Sequence, residues 1–363
     1  MPPLLPIPGW VRPLALMVML TPAGSPATGP AGAVEPAARP PLDRAATLRA
    51  MESIMGPLPG PERRGPLELR VESETDAGEF VRQEISYLRE PGSRVPAYLL
   101  IPRAARRPGV GRVHPAVLAL HQTHSQGRRV VVGLGNSPDD EYGVELARRG
   151  HVVLAPPYTL LADYQPDIAA LGYACGTLFA VWTNIRGLDL LESLPYVRTN
   201  GFGAIGHSLG GHNGLFTAAF DPRLRVVVTS CGFDAFRDYY DGDPANWQPE
   251  KGWCQTRYMP RLAAYRGRLE ELPFDFPDLL RAIAPRMVWI SAPVGDANFR
   301  WRSVDRCVEE ARPAYAATGA AGSLRVLHPP TAHQFDPVTR SLAYAALEEV
   351  LGPPPSGRAR AGQ

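Results

Sequence analysis

Only four cysteines occur among the 363 residues, and no two of them stand in a Cys-x-x-Cys pair. That excludes a zinc ribbon or a thioredoxin-type motif. Cys175, Cys231, Cys254 and Cys307 read instead as small apolar core residues, with one disulfide as the alternative. An excess of either charge is missing as well: 38 Lys and Arg face 36 Asp and Glu, a net charge of +2. Arginine doublets such as Arg63-Arg64 and Arg128-Arg129 are short and read as solvated surface. No nucleic-acid partner and no anionic membrane surface is expected from this balance. The apolar run Leu14–Leu20 is too short to span a bilayer, so no membrane span is expected. Phosphate loops, dinucleotide glycine motifs and ligand clusters are lacking too. His121 and His124 make only a weak pair, and neither a metal nor a cofactor is expected.

What is present is an ordinary globular composition, 45% hydrophobic, enough for one large α/β domain or two small ones. Residues 1–41 do not read as folded. Arg12, the apolar run behind it and Ala31-Gly32-Ala33 resemble a secretory signal with an A-x-A cleavage site, which predicts export; a Pro-rich leader on a cytoplasmic protein is the alternative. Residues 42–352 carry the domain, and the low-complexity residues 353–363 form a tail.

Apolar residues from Leu42 to Met55 recur on one helical face. Leu67–Glu72 alternates like an edge strand, and Phe80–Leu88 and Val95–Ile101 flank a Pro91-Gly92 turn, which predicts an antiparallel start. Ala116–Leu120 is a continuous apolar run, as in a buried central strand. Helices and strands then alternate: a helix over Gly143–Arg149, a strand over His151–Ala155, a long helical region over Ile168–Leu194. Further strands are expected at Gly203–Ile205, Arg225–Ser230, Met287–Ala292 and Leu324–Leu327, with helices at Arg302–Thr318 and Pro337–Leu351. The fold class is therefore α/β, a mostly parallel sheet with an antiparallel start and helices on both faces. Residues 233–286 break the alternation, either as an enlarged connection or as a cap over a pocket.

One motif organises the rest. Gly206-His207-Ser208-Leu209-Gly210 lies between an apolar strand and a helical stretch. A serine on such a turn needs small flanking residues, and the following helix turns its free N–H groups toward an oxyanion. A serine hydroxyl becomes a nucleophile only when a base takes its proton and an acid orients that base. His333 lies in the loop after the last strand, and Asp296 in the loop after Met287–Ala292, so Ser208, Asp296 and His333 follow in the required order. Asp234 is the fallback acid, and Asp305 falls inside a helix. Leu209 N–H is one expected oxyanion donor; the other comes from Gln122 or Thr123, after the strand ending at Leu120. His121, His207 and His212 read as structural. Tyr158, Trp253 and Tyr258, with the loop around Tyr164, are candidate pocket walls.

These residues resemble the α/β-hydrolase superfamily, more narrowly its dienelactone-hydrolase-like and acetyl-xylan-esterase-like branch, related to prolyl oligopeptidase catalytic domains. The match runs from about Leu67 to Leu351 and rests on Arg94–Leu99, Leu120–Thr123, Gly206–Gly211, Gly295-Asp296 and Ala332-His333. The resemblance implies a serine esterase whose partner is a small-molecule or carbohydrate ester, short acyl groups being favoured. A peptidase or amidase, and a silent binding protein on the same scaffold, are the alternatives. Serine stands where dienelactone hydrolases carry cysteine, and His-Gln-Thr where His-Gly-x is commoner.

Overall fold

The computed structural model describes residue 41 and residues 43–355. The signal-like leader, Leu42 of the first helical pattern and most of the expected tail lie outside the described residues. Helices are α1 (Arg44–Met55), α2 (Tyr142–Arg148), α3 (Gly176–Ser193), α4 (Leu209–Phe220), α5 (Phe276–Ile283), α6 (Trp301–Ala317) and α7 (Pro337–Leu351). Strands are β1 (Arg70–Asp76), β2 (Phe80–Glu90), β3 (Ser93–Pro102), β4 (Ala116–Leu120), β5 (Val152–Ala155), β6 (Phe202–His207), β7 (Leu224–Ser230), β8 (Met287–Ser291) and β9 (Leu324–Leu327). They form one sheet in the order β1-β2-β3-β5-β4-β6-β7-β8-β9. The first three pair antiparallel, β3 joins β5 antiparallel, and the remaining pairs are parallel.

Alternation within each central strand feeds two cores. Leu118 and Leu120 of β4, Val227 of β7 and Ile290 of β8 face α3, α4 and α5, while Val117, Ala119, Val226, Val228 and Trp289 face α2 and α7. A sheet buried on both faces reads as continuous apolar runs, which is why its central strands were plain in the sequence. Each fully buried leucine or valine contributes about 1.5–3 kcal/mol by leaving water.

Two expectations shift. The edge strand begins at Arg70 rather than Leu67, and both of its faces are exposed. Of the alternating apolar residues, Leu67 packs against the core ahead of the strand, while Leu69 and Val71 are exposed. The helix expected from Ile168 begins at Gly176 instead. Gly172 ahead of it takes φ +81°, which breaks the helix. The first N–H groups of α3, on Gly176 and Thr177, are then taken by the carbonyls of Thr256 and Tyr258. A Cβ on Gly176 would lie 2.3 Å from the Arg257 carbonyl oxygen, so only glycine permits this docking.

After β4 the chain moves to β5 on one side, then crosses to β6 on the other. Such a switch leaves a crevice outside the carboxyl ends of β4 and β6, where ligands bind in open α/β sheets. Residues 233–286 run as a succession of short 3₁₀ turns ending in α5, with Trp247, Trp253, Phe274 and Phe276 buried.

Candidate active site

The crevice carries Ser208. Its backbone takes φ +50° and ψ −121°, a left-handed conformation that a side-chain-bearing residue adopts only when its surroundings hold it there. The turn is clamped by close approach. A Cβ on Gly206 would lie 2.2 Å from the carbonyl carbon of Gly210, and one on Gly210 only 1.9 Å from the carbonyl oxygen of Leu120. One on Gly211 would meet the Thr229 hydroxyl at 2.5 Å. Glycine is therefore obligatory at three positions, and the motif spacing follows from packing between β4, β6, β7 and α4. Ser208 N–H donates to the Ser230 carbonyl at 2.7 Å, which fixes the turn against β7. Ser208 is half-buried, and α4 starts at Leu209 with its first amides toward the crevice mouth.

His333 lies between β9 and α7. Asp336 ends that loop by accepting the N–H groups of Val338 and Thr339 as the cap of α7, with Pro337 at the first helical position. His333 Nδ1 lies 3.0 and 2.9 Å from the two carboxylate oxygens of Asp296. The Asp296 side chain is 1% exposed and that of His333 23%, so the acid is sealed while the ring reaches solvent. Asp296 also accepts N–H groups from Asn298 at 2.8 Å and Phe299 at 3.2 Å. Burial acts to raise its pKa, but the hydrogen bond and charge of His333, with those amides, hold it below the usual carboxylate value. The centroid of the His333 ring lies 4.8 Å from that of His207, the residue before Ser208. The structure thus gathers the three expected residues at the carboxyl ends of β6, β8 and β9. Among the hydrogen bonds of the described residues none joins Ser208 Oγ to His333 Nε2; such contacts commonly tighten only with substrate bound.

Asp234 does not reach His333. Its Oδ2 accepts the Arg300 N–H at 3.3 Å, and its Oδ1 is buried without a partner among the described residues. Burial, with Asp238 and Asp275 nearby, pushes its pKa up to about 8 against the pull of Arg300. Asp305 pairs instead with His328 Nε2 at 2.8 Å, on α6.

His121 is structural, as expected. A carbonyl only accepts, so Nδ1 donates to the Gln122 oxygen at 2.8 Å, and Nε2 accepts the Tyr158 N–H at 2.8 Å. Burial lowers its pKa to about 4, which keeps it neutral. With both nitrogens occupied, His121 makes no metal pair with His124, whose Nδ1 accepts the Gln126 N–H. The arrangement has a consequence for the loop. The Gln122 oxygen and the Thr123 N–H share one trans peptide and point oppositely, so the Thr123 amide faces away from His121. His212 is stacked between Phe216 and Trp253 at 4.4 and 4.3 Å.

Of the expected walls, Tyr258 is half-buried, its hydroxyl 3.4 Å from that of Thr123. Tyr158 is buried, and its hydroxyl is engaged with Thr177 and the Arg257 carbonyl. Trp253 is buried and stacks on Phe299, whose ring lies 5.9 Å from that of His333. Tyr164 packs on Phe179 within the core, away from these residues. Sequence reasoning missed Phe299 and Cys231. The Cys231 thiol lies with Asp296 and His333 in a group whose ligand-type atoms are all within 4.8 Å. A metal there would compete for the atoms that join His333 to Asp296. Burial, then the Asp296 charge, pushes the Cys231 thiol pKa up. All four cysteines are free and buried, in line with the reading as core residues.

Residues 171–319 match the model of the fungal glucuronyl esterase family. A Bacillus subtilis protein bearing the name hydrolase YtaP is 26% identical over 269 residues, covering 71% of this chain and 84% of that one. Among solved structures, a glucuronoyl esterase from Solibacter usitatus aligns with a TM-score of 0.65 at 18% identity, over 85% of this chain and 92% of that one. A Bacteroides fragilis protein described as an acetyl xylan esterase aligns with a TM-score of 0.56 at 17% identity, over 78% and 74%. Sheet order, the strained serine turn and these likenesses together give the chain the α/β-hydrolase fold.

Proposed function

We propose that the protein is a serine hydrolase of carboxylic esters, carbohydrate esters among them, working through an acyl-enzyme. Ser208 Oγ attacks the acyl carbon while His333 Nε2 takes its proton; Asp296 holds Nδ1–H and stabilises the imidazolium. The tetrahedral oxyanion is held by Leu209 N–H and by Thr123 N–H, with Gln122 N–H the alternative donor. His333 then returns its proton to the leaving alcohol. Water, deprotonated by the same ring, attacks the acyl carbon, Ser208 recovers its proton, and the acid departs. The observation that carries this reading is the Asp296–His333 bond beside a left-handed serine at the start of α4. Glucuronoyl and acetyl xylan esterases among the relatives support the ester class.

Specificity falls to the walls, since the same groups serve any acyl transfer. Trp253 and Phe299 form an aromatic wall running to His333, with residues 233–286 as the cap that carries Trp253 and Tyr258. Such a wall leaves little room for a long chain. The p-nitrophenyl acetate and butyrate esters should be turned over at least about tenfold better than the octanoate. A maximum at octanoyl or beyond, or efficient cleavage of a peptide anilide, contradicts this.

Export belongs to the same reading and rests on Leu14–Leu20 and the A-x-A site. N-terminal sequencing of native protein should begin just after Ala33; an intact Met1 on cytoplasmic protein contradicts export.

A further inference from the structure

We infer that a polar cleft beside the Asp296 loop is a glycosyl subsite, holding one uncharged sugar ring of the substrate; this rests on the esterase reading above. The cleft has a volume of about 450 Å³, a size typical of small-ligand sites. Tyr240, Asp241, Asp243 and Asn246 line one part of it, Asn298 and Arg300 another. Asn298 is also the residue whose N–H holds Asp296, so cleft and acid share one segment.

Three features point to a sugar. Tyr240 is 46% exposed, large for an aromatic ring outside any core, and it is braced edge-on by Tyr239 at 4.6 Å. Such a ring offers a flat apolar face to the axial C–H groups of a pyranose. Next, the side-chain amides of Asn246 and Asn298 have no protein partner among the described residues. An amide both donates and accepts, which matches adjacent hydroxyls; an acyl chain would gain nothing here. Third, the charge balance is against an anion. Arg300 forms a two-pronged ion pair with Asp241, which leaves the Asp243 carboxylate, capping Ala245 N–H, as the uncompensated charge. A free carboxylate would be repelled, and a neutral ring would not.

The backbone supports a built site. Tyr240 and Asp241 are consecutive non-glycine residues with φ +47° and +60°. Left-handed residues of this kind are strained and persist where the surroundings fix them. Here Arg300 fixes Asp241 from the other side of the cleft, and the Tyr240 carbonyl accepts Asp243 N–H at 3.0 Å. The exposed ring is thereby presented at a set angle to the polar wall.

Acetylated xylo-oligosaccharide and p-nitrophenyl acetate, compared on wild type, Tyr240→Ala and Asn246→Ala, test the inference. The ratio of kcat/KM for the sugar ester to that for the aryl ester should fall at least about tenfold in each variant, through KM. Unacetylated xylohexaose, titrated calorimetrically, should bind wild type and bind Asn246→Ala more weakly. If both esters are cleaved through Ser208 while the ratio stays unchanged and xylohexaose does not bind, the subsite is wrong and the esterase reading stands. If neither ester is cleaved yet xylohexaose binds in an Asn246-dependent way, the subsite stands and the esterase reading fails.

Discussion

His333 Nδ1 touches both carboxylate oxygens of Asp296 across a sequence separation of 37 residues, and among the described residues no second acid is hydrogen-bonded to that ring. Asp234, at the end of β7, occupies the other position from which an acid could serve, yet it is turned to the Arg300 amide. Asp296→Asn should therefore lower kcat on the order of 10³-fold or more, since the ring loses the partner that sets its tautomer. Asp234→Asn should cost about tenfold or less. Steady-state kinetics on an aryl ester compare them, and the reverse ranking would move the acid to β7.

Asp234 makes a second prediction, about stability. Its folded pKa of about 8 stands far above the usual carboxylate value of 3.8. A raised acid pKa means that the folded state binds the proton more tightly. Stability is fully present below about pH 4 and is lost as pH rises toward 8. Asp234→Asn keeps the shape and removes the charge, so at pH 8 and above it should melt about 2 °C or more higher than wild type. An unchanged or lower melting temperature there contradicts the buried, half-satisfied carboxylate.

Histidines set the acid limit in the opposite direction. Burial lowers His121 and His151 to about 4, and His207 and His212 to about 3. Each is neutral when folded and protonates below about 6.5 when unfolded, so each removes about 1.4 kcal/mol per pH unit below that value until its folded pKa is reached. Asp234, and Asp275 with its pKa raised to about 6 by burial, act against this. Four protons outweigh two. Urea midpoints should fall steadily from pH 6.5 to pH 4.5; a flat or rising midpoint would contradict the neutral buried rings.

Much of this was legible in the sequence, for reasons that differ by element. Ala116–Leu120 matches β4 because a strand covered on both faces needs unbroken apolar residues, while Leu324–Leu327 matches the half-buried edge strand β9. Gly206, Gly210 and Gly211 are visible because the turn forbids any side chain at those points. The start of α3 was not visible: it is set by carbonyls of Thr256 and Tyr258, about 80 residues away in the chain and invisible to local periodicity. The wall role of Phe299 was hidden likewise, since it depends on Trp253 folding back from residues 233–286. The choice between Asp296 and Asp234 also needed three dimensions. Both end a strand, and only the geometry pairs one of them with His333.

The central claim is that Ser208 is acylated, and a fluorophosphonate probe reads it most directly. Incubation of the full protein followed by peptide mapping should place one adduct on Ser208. Ser208→Ala should give no adduct and lose on the order of 10³-fold or more of esterase activity while keeping its fold by circular dichroism. An adduct on another serine, or near-full activity in Ser208→Ala, would contradict the account.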